Sequence, residues 1–599
     1  RAAPRVHGPG VTGLRLRHAP NGLGLGCGVG AAPSEQRTRL GRGRAPVSQR
    51  EGGRSVNGGT SPVHFVQREG GRSVNGGTSP VQSPVHACSP KARSTLSRAI
   101  FARTLQYGTV EYGTVEYVFE WVVSLMFVGR EGELRSLEHA YAKGGFQMAV
   151  IYGRRRVGKT TLIDEFVRDK PTLYFTAQQK TTRQNLELFS AAVYEAFSLP
   201  TSLPAFASWN DALVLIVERA RSWEGSQPLV FVFDEFPYAA ESDPSLPSAL
   251  QSVIDHGFAQ TNAMLILCGS NEGFMESEVL GSKSPLYGRR TMQLRLPPFG
   301  YLDAARMLPG VSDEDLVAYY ATFGGTPYYL AQIDTGQTYA ENVAELFFDR
   351  AGLLYEEPLM LLRQELHEPA GYNSVLDAIG SGATSPSRIA DKVGMNPNSV
   401  GKYLRSLASL GIIERLVPLG GASAKRAVWK FGDPFFSYWY HFVSRYVGSI
   451  EEGAGRAVAG YATSGQAFLT YVGKQFENVC LQWVRRESIA GQLPFAALEF
   501  GRWWGTDHQT HEETDIDVVA VNSIERELLV GECKWRNSFD ETRALRTLMS
   551  RAELLRGYDR KHYMLFSKRE FSDGIRERAN KGNNLRLVTL GDLYSELRA

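Results

Sequence analysis

The stretch MAVIYGRRRVGKTTLIDEFV, residues 148–167, decides the fold of this chain. Residues 149–152 are apolar and predict a buried parallel strand. The end of the stretch has apolar residues at the spacing of one helix face: Leu162, Ile163, Phe166 and Val167. Between the strand and the helix, residues 153–160 fit the phosphate-loop pattern G-x-x-x-x-G-K-[ST]. A chance glycine–lysine turn is the alternative, and the flanking strand and helix disfavour it.

The spacing of this loop has a physical explanation. Gly153 and Gly158 let the backbone curl so that its N–H groups point at phosphate oxygens, and the dipole of the next helix adds positive potential. Lys159 is expected to reach the β- and γ-phosphates, and the Thr160 hydroxyl to bind Mg²⁺. The loop residues expected to contact ATP are Gly153, Arg154, Arg155, Arg156, Val157, Gly158, Lys159, Thr160 and Thr161.

A second apolar segment, residues 229–233, runs into the carboxylates Asp234 and Glu235. At the end of a strand, Asp234 would hold the Mg²⁺ shell. Glu235 would polarise the attacking water as a general base. Another strand is predicted at residues 264–268, and Asn271 lies at its polar tip, where a γ-phosphate sensor is expected. These residues together predict binding and hydrolysis of ATP with Mg²⁺.

The bulk composition narrows the class of protein. A length of 599 residues predicts several domains, and 43% hydrophobic and 22% charged residues are ordinary for a soluble protein. No apolar run reaches the length of about 20 residues that spans a membrane, so no membrane partner is expected. The five cysteines are scattered without a CxxC pair. This pattern argues against a disulfide framework or a zinc site and favours a cytoplasmic location.

Residues 1–125 read as a disordered leader rather than a domain. They are rich in Gly, Arg, Ser and Pro and hold 16 Lys and Arg against six Glu. The block REGGRSVNGGTSPV occurs identically at residues 50–63 and 68–81, which indicates recent duplication rather than a solenoid repeat. The first methionine is Met126, so we expect a non-native leader; a genuine disordered basic tail is the alternative. The remaining residues are mildly acidic, so any nucleic-acid site must be a local patch.

Residues 372–431 predict a winged helix. Three helices are expected, the second at residues 386–393 and the third at residues 396–410, followed by wing strands at 412–417 and 428–431. The candidate DNA-facing residues are Asn396, Asn398, Lys402, Tyr403 and Arg405. A protein-docking or structural role is the alternative. The aromatic-rich segment at residues 433–447 predicts core packing rather than base stacking.

The C-terminal part carries a second chemical pattern. Asp517 lies in a predicted strand, and Glu532 and Lys534 lie in the next one. Residues two apart on a strand share a face, so Glu532 and Lys534 project together. Asp517 and Glu532 would bind Mg²⁺ or Mn²⁺ while Lys534 orients or deprotonates the attacking water. Glu477, from the preceding predicted helix, would complete the metal shell, and Asp515 is an alternative ligand because alternation places it on the face of Asp517.

Four segments together resemble the archaeal-type P-loop ATPases, a prokaryotic branch near the AAA+ and STAND groups: FVGREGEL, GRRRVGKT, LVFVFDEF and CGSN. The resemblance implies that Arg130, in the GRE box, lies near the nucleotide base. It also implies that Arg289, in the segment SKSPLYGRR, meets the γ-phosphate; a surface salt bridge is the alternative. The segment GGTPYYL at residues 324–330 resembles the helical-lid motif, and a helix break before a buried helix is the alternative there.

The C-terminal order of helix, two strands and helix resembles the PD-(D/E)XK nucleases. It also resembles the domain of unknown function that follows many archaeal-type ATPases and is itself similar to these nucleases. Ile516 stands where the family name has proline. The resemblance covers residues 126–599.

The expected architecture is α/β: a P-loop NTPase parallel sheet with a helical lid, a winged helix and an α/β nuclease-like domain. The expected segments are the leader 1–125, ATPase core 126–300, lid 301–371, winged helix 372–431, aromatic-rich connector 432–464 and nuclease-like domain 465–599. The expected function couples ATP hydrolysis to a domain that acts on nucleic acid, with DNA favoured, as a Mg²⁺-dependent nuclease. The alternative is an ATP-controlled switch or DNA-binding regulator that does not cleave. Homo-oligomerisation is left open.

Overall fold

The structure, a computed structural model, describes residues 127–419, 426–508, 510–582 and 584–598. The predicted leader at residues 1–125 lies outside these ranges, and so does the tip between the two predicted wing strands, residues 420–425. The predictions about both segments stay predictions.

The ATPase part is built on a parallel five-stranded sheet in the order β2-β3-β4-β1-β5. The strands are β1 (Gln147–Tyr152), β2 (Thr172–Thr176), β3 (Leu229–Asp234), β4 (Ala263–Gly269) and β5 (Met292–Arg295). The helices are α1 (Glu131–Ala142), α2 (Lys159–Val167), α3 (Thr182–Ala196), α4 (Trp209–Arg221), α5 (Phe236–Ser242) and α6 (Leu246–His256). The predicted α/β fold with a parallel sheet is therefore confirmed.

Both faces of this sheet are covered. Ala149 and Ile151 of β1 pack in one hydrophobic cluster with Phe166 of α2. Met148 and Val150, which point to the opposite face, pack in another cluster with residues of α3, α4 and α6. Burial on both faces explains why β1, β3 and β4 are apolar along their length rather than alternating with polar residues.

Three strand ends bring polar residues to one edge of the sheet. Tyr152 of β1 is paired with Gly269 of β4, and Phe233 of β3 is paired with Leu267 of β4. The segments that follow β1, β3 and β4 therefore leave the sheet side by side. Ligands of open parallel sheets bind at this carboxyl edge.

Helices follow the ATPase sheet. They are α7 (Tyr301–Arg306), α8 (Asp313–Phe323), α9 (Pro327–Leu330), α10 (Tyr339–Phe347) and α11 (Glu357–Glu365). All residues of α8 from Leu316 to its end are buried, so this helix lies inside the core. Gly324 ends it at φ 65°, and a Cβ at Gly325 would lie 1.8 Å from the Phe299 carbonyl oxygen, so only glycine fits there.

Three more helices precede a two-stranded antiparallel sheet. They are α12 (Pro369–Gly380), α13 (Pro386–Val393) and α14 (Pro397–Ser409), and the strands are β6 (Ile413–Leu416) and β7 (Val428–Phe431). Proline lies at the first turn of each helix, where its missing N–H costs no hydrogen bond. The identification of this unit as a winged helix stays a prediction.

The aromatic-rich segment after β7 forms core. It begins with α15 (Pro434–Tyr438) and is followed by α16 (Gly455–Ser464). Phe435, Phe436, Tyr438 and Tyr440 have no exposed surface. The prediction of core packing rather than base stacking is therefore confirmed.

The C-terminal part contains a mixed sheet in the order β12-β11-β10-β9-β8. Its strands are β8 (Glu499–Thr506), β9 (Glu513–Asn522), β10 (Glu527–Lys534), β11 (Arg560–Ser567) and β12 (Leu585–Thr589). Its helices are α17 (Gln466–Ile489), α18 (Glu541–Ala552), α19 (Asp573–Lys581) and α20 (Leu590–Leu593). β8, β9 and β10 are antiparallel, whereas β10, β11 and β12 are parallel.

The two faces of this sheet carry different helices. Leu529 of β10 belongs to the hydrophobic cluster that contains Phe476 of α17. Val530 follows Leu529 and points to the other face of the sheet, where it belongs to the cluster that contains Leu548 of α18. The helices α17 and α18 therefore cover opposite faces of β10.

A bulge in β9 interrupts the regular alternation of its side chains. Gly501 of β8 pairs with Val519, but Trp503 pairs with Ile516, so two residues of β9 oppose one residue of β8. Ile516 and Val519 pack in the same cluster although they are three residues apart. The bulge lies between the paired residues Ile516 and Val519, beyond Asp515, so the predicted common face of Asp515 and Asp517 stays a prediction.

One hydrophobic core joins the helices after the ATPase sheet to the C-terminal sheet. Its members come from α7, α12, α15, α17 and β10: Tyr301, Leu376, Tyr438, Phe476 and Leu529. The hydroxyl of Tyr301 donates a hydrogen bond to the carbonyl of Leu593 (2.9 Å), and that of Tyr471 donates to the carbonyl of Ala321 (2.8 Å). We call this cluster the shared core.

Candidate functional site

The phosphate loop leaves β1 with a conformation that requires glycine at two positions. Gly153 has φ 152° and Gly158 has φ 87°. A Cβ at Gly153 would lie 2.5 Å from the carbonyl oxygen of Leu296, so a side chain does not fit. Gly158 precedes α2, whose first-turn N–H groups form the end of the loop. The loop therefore has the glycine conformations that its sequence predicts, and the binding of an anion by its N–H groups stays a prediction.

Lys159 lies over the loop. Its Nζ donates hydrogen bonds to the carbonyl oxygens of Gly153 (2.8 Å) and Arg154 (3.2 Å), and the residue is 6% exposed. Val157 is buried in the cluster beneath the sheet, whereas Thr161 is exposed in the first turn of α2. Lys159 is thus held by backbone carbonyl oxygens of the loop, and its predicted contact with phosphate oxygens stays a prediction.

Thr160 and Asp234 meet at the carboxyl edge of the sheet. The Thr160 hydroxyl donates to Oδ2 of Asp234 (3.3 Å), and Asp234 is 3% exposed. Burial and the nearby Asp234 raise the pKa of Asp164 to about 6. A hydroxyl beside gathered carboxyl groups is a donor set that fits Mg²⁺, and a divalent cation would offset the negative charge. Thr160 and Asp234 are the residues that would hold it.

Glu235 is oriented by Ser270. Glu235 has φ 48°, in the left-handed region, and its Oε2 accepts hydrogen bonds from the N–H (3.2 Å) and the hydroxyl (2.9 Å) of Ser270. Strained backbone of this kind is characteristic of active sites. The side chain of Asn271, the predicted γ-phosphate sensor, accepts from the N–H of Phe274 (3.0 Å) and caps a short helix, and its role as a sensor stays a prediction. The residue that hydrogen-bonds to the Glu235 side chain is therefore Ser270, the position before Asn271.

The three arginines of the loop form ion pairs with carboxylates from later in the chain. The pairs are Arg154–Asp433, Arg155–Glu365 and Arg156–Glu357. The hydroxyl of Tyr238 also accepts from Arg155, and Arg154 Nη2 donates to Thr326 (3.0 Å). The sequence pattern points to the arginines but contains no signal for these partners.

Arg130 packs under the loop. It donates hydrogen bonds to the carbonyl oxygens of Val157 (3.2 Å) and Pro297 (2.5 Å), and its guanidinium lies 4.7 Å from the ring centre of Phe299. Burial lowers its pKa. Arg130 therefore ties the segment before α1 to the phosphate loop, and its contact with a nucleotide base stays a prediction.

Arg289 lies in a surface ion pair. Its Nε and Nη2 donate to the two carboxylate oxygens of Asp255, at 2.8 and 2.6 Å. Asp255 is the penultimate residue of α6. The structure thus shows the surface salt bridge that was the alternative to a γ-phosphate contact.

In the C-terminal sheet, Glu532 and Lys534 project from one face of β10. Lys534 Nζ pairs with Glu532, and Arg551 of α18 lies 3.3 Å from Glu532 Oε2. Glu532 is 6% exposed, so these cations compensate a buried carboxylate. The predicted common face of Glu532 and Lys534 is confirmed.

Asp517 lies at the bulge of β9. Its Oδ2 accepts from the N–H of Cys533 (2.8 Å). Burial, with Glu477 and Glu532 as neighbouring negative charges, raises the pKa of Asp517 to about 8. The negative charges of Glu477 and Glu532 therefore both act on the carboxyl group of Asp517.

Glu477 does not complete a three-carboxylate shell. It belongs to α17, and its Oε2 accepts from Arg502 (2.5 Å), whereas Glu532 pairs with α18 on the opposite face of the sheet. In the part of the chain that the structure describes, no group of three or more His, Cys, Asp or Glu residues is arranged to hold a metal ion. The prediction that Glu477 joins Asp517 and Glu532 is therefore corrected: the sheet separates Glu477 from Glu532, and each has a cationic partner.

Most of the predicted DNA-facing residues lie at the surface. Asn396, Asn398, Lys402 and Arg405 are exposed. Asn396 also caps α14 by accepting from the N–H of Asn398 (2.9 Å). Tyr403 is half-buried, with its ring centre 4.7 Å from that of Tyr372. Exposure leaves the four polar residues available to a partner, whereas Tyr403 packs within the helices.

Within the described ranges no helix is long and apolar enough to cross a membrane.

Two parts of this chain match known protein families, and the first of them contains the phosphate loop. Residues 127–333 match a family described as an ATPase domain predominantly from Archaea, and residues 439–545 match a family of archaeal and bacterial proteins of unknown function. An uncharacterized protein of Methanocaldococcus jannaschii is 28% identical over 449 residues, which are 74% of this chain and 96% of the relative. An uncharacterized ATP-binding protein of the same organism is 46% identical over 46 residues, 8% of this chain and 78% of the relative.

A Walker-type ATPase of Pyrococcus abyssi is similar in structure, with a TM-score of 0.41 and 19% identity over 52% of this chain and 96% of that one. The predicted resemblance to archaeal-type ATPases is confirmed by the family match. The chain therefore carries an archaeal-type ATPase domain at residues 127–333, followed at residues 439–545 by a domain of the archaeal and bacterial family of unknown function.

Proposed function

We propose that this chain hydrolyses ATP with Mg²⁺ at the phosphate loop and that its nucleotide state controls a C-terminal domain acting on nucleic acid. The observation that carries the first half is the arrangement of Thr160, Asp234 and Glu235 beside the loop. The metal-binding hydroxyl and carboxylate are in contact, and the next carboxylate is held by Ser270. This set performs the tasks of a P-loop NTPase: phosphate binding, metal binding and water activation.

Each residue has a distinct role in the proposed reaction. Lys159 and the loop N–H groups bind and orient the phosphates. Thr160 and Asp234 would hold Mg²⁺, which neutralises charge on the phosphate oxygens. Glu235 accepts a proton from the attacking water, and the two hydrogen bonds from Ser270 fix the carboxylate for that step.

Phosphate release by the full chain tests this proposal. Wild type should release phosphate from ATP with Mg²⁺ and not with EDTA. Lys159→Ala should lose nucleotide binding, whereas Glu235→Gln should bind ATP and lose turnover by about 10²–10⁴-fold. Wild-type turnover in Glu235→Gln would remove Glu235 from the role of base. Absence of ATP binding by wild type would overturn the proposal itself.

For the C-terminal domain we propose Mg²⁺- or Mn²⁺-dependent cleavage of nucleic acid, with DNA favoured. The observation that favours it is that Asp517 accepts a hydrogen bond from the N–H of Cys533, the residue after Glu532, while Lys534 pairs with Glu532 on β10. Asp517 and Glu532 would hold the metal, and Lys534 would orient or deprotonate water. Asn396, Asn398, Lys402 and Arg405 of α14 and its cap are exposed and would contact DNA in a winged-helix arrangement.

The competing proposal is an ATP-controlled switch that binds nucleic acid or a protein without cleaving. It is supported by the ion pairs of Glu532 with Lys534 and Arg551, which neutralise the carboxylate without a metal. Incubation of the full chain with plasmid and single-stranded DNA, with Mg²⁺ and with EDTA, separates the two. Mg²⁺-dependent degradation that Lys534→Ala abolishes supports the nuclease. DNA binding without degradation in wild type supports the switch.

A further inference from the structure

All three arginines of the phosphate loop are held by carboxylates from outside the ATPase sheet. Two of the carboxylates lie at the ends of one helix, since Glu357 is the first residue of α11 and Glu365 is its last. Arg155 Nε lies 3.0 Å from Glu365 Oε1, and Arg156 forms an ion pair with Glu357. The helix α11 therefore contacts the loop at two points through opposite charges.

These carboxylates are buried. The side chains of Glu357 and Glu365 are 4% and 5% exposed, whereas those of Arg155 and Arg156 are 30% and 29% exposed. A buried carboxylate without a partner is unstable in the folded state, so the arginines are the main compensation for both charges. Glu357 also accepts from the hydroxyl of Tyr329 (2.9 Å). Glu365 has only the loop as a cationic partner among the ion pairs described, so it depends on the loop more than Glu357 does.

The Glu365 carboxyl also lies in the electrostatic field of the reaction centre. Burial raises its pKa, the positive charges of Arg155 and Lys159 oppose that rise, and the negative charge of Glu235 adds to it. A triphosphate that binds the loop brings several negative charges to the same place. Like charges in a partly desolvated site repel, so bound phosphates and the Glu365 carboxylate compete for the arginines and for Lys159.

We propose that α11 is an acidic latch on the phosphate loop, in which Glu365, aided by Glu357, holds the loop until ATP displaces it. This rests on the proposed function, because it requires that ATP binds at this loop. By linkage, a ligand that favours the released loop weakens the latch as much as the latch weakens the ligand. Only residues 366–368 separate α11 from α12, so release of α11 would carry the nucleotide state towards the C-terminal half of the chain.

Nucleotide binding by variants of the full chain tests the latch. Glu365→Gln keeps the volume and removes the charge, and it should bind ATP roughly five- to tenfold more tightly than wild type. Glu365→Asp keeps the charge and should stay closer to wild type. The matched control is Glu356→Gln, an exposed glutamate that precedes α11 and makes no side-chain cap, and it should bind as wild type does. The affinity gain should be larger for ATP than for ADP, because ATP carries the additional phosphate charge.

Hydrogen exchange of the wild-type chain gives a second readout that needs no variant. Peptides covering residues 357–365 should exchange faster with ATPγS and Mg²⁺ than without nucleotide, and peptides of α6 should not change. Equal or weaker ATP binding by a folded Glu365→Gln protein overturns the latch, and so does unchanged exchange of α11 in nucleotide-saturated wild type. If Glu365→Gln does not fold, the wild-type exchange decides. Failure of wild type to bind ATP refutes the proposed function instead, so the two failures are distinguishable.

Discussion

Replacing Asp433 with asparagine removes a charge on which the phosphate loop depends. Arg154 Nη2 and Asp433 Oδ2 are 2.5 Å apart, and the two side chains are 3% and 4% exposed. Asp433 follows β7, 279 residues after its partner, and its Oδ1 also caps α15 by accepting from the N–H of Phe435 (2.8 Å). One carboxylate thus compensates a buried cation and begins a helix of the shared core.

The two roles of Asp433 have separable costs. Removing one partner of a buried ion pair leaves an uncompensated charge and costs about 3–5 kcal/mol. Asparagine still accepts a hydrogen bond at the helix N-cap, so Asp433→Asn should show the charge effect with little loss of the cap. Asp433→Ala loses both and should be less stable by about a further 1 kcal/mol. These values are a large fraction of the 5–15 kcal/mol by which domains are typically stable.

Urea unfolding of the full chain, followed by tryptophan fluorescence, measures these differences. Arg154→Met removes the other charge, and the double variant Arg154→Met/Asp433→Asn should be more stable than the sum of the single effects implies. Asp255→Asn is the control, because its ion pair with Arg289 is exposed and should contribute no more than about 1 kcal/mol. An Asp433→Asn variant within about 0.5 kcal/mol of wild type, or strictly additive single effects, would refute the reasoning.

Three further predictions concern other sites. Ser270→Ala should lower ATP turnover by roughly tenfold and leave the ATP affinity unchanged, because Ser270 orients Glu235 and lies outside the phosphate loop. A tenfold loss of ATP affinity in this variant would contradict the prediction. Millimolar Mn²⁺ should raise the melting temperature of the full chain. The Asp517→Asn variant should show a smaller rise, and the Lys534→Ala variant should show the same rise as wild type. A wild-type protein whose melting temperature does not respond to the metal would remove the support for cleavage. Burial lowers the pKa of His441, so folding favours the neutral ring. Stability should therefore decline as pH falls below about 6.5, and a melting series from pH 7.5 to 5 should show a smaller decline in His441→Gln.

The parts of the fold that could be predicted depend on local sequence patterns. The strand, glycine turn and helix around Lys159 are specified by residues within one continuous stretch, and so is the helix Pro386–Val393, whose predicted bounds match the structure. Asp234 and Glu235 were identified because two carboxylates directly follow a buried strand. In these cases the periodicity and the chemistry lie within a few residues of each other.

The missed parts depend on contacts between distant residues. Ser270 could have been found from the sequence, because it carries a hydroxyl directly after β4. The sequence does not distinguish a helix cap at Asn271 from a γ-phosphate sensor. The partners of the loop arginines lie about 200 to 280 residues away, with no local signal that pairs them. A bulge between Ile516 and Val519 interrupts the pairing of β9 with β8, and no count of residues along a strand reveals it.

The shared core has a consequence for how such chains are recombined in evolution and in engineering. Its apolar residues lie on both sides of residue 465, so a cut there would expose Phe468, Val472 and Phe476 of α17 together with the surfaces that they cover. Exposed apolar patches of that kind cause aggregation. Exchange of the C-terminal sheet between homologues should therefore succeed only when the helices from α7 onward are exchanged with it. The unit that can be exchanged is then the whole segment after the ATPase sheet. Chimaeras joined near residue 300 should remain soluble, whereas chimaeras joined near residue 465 should not.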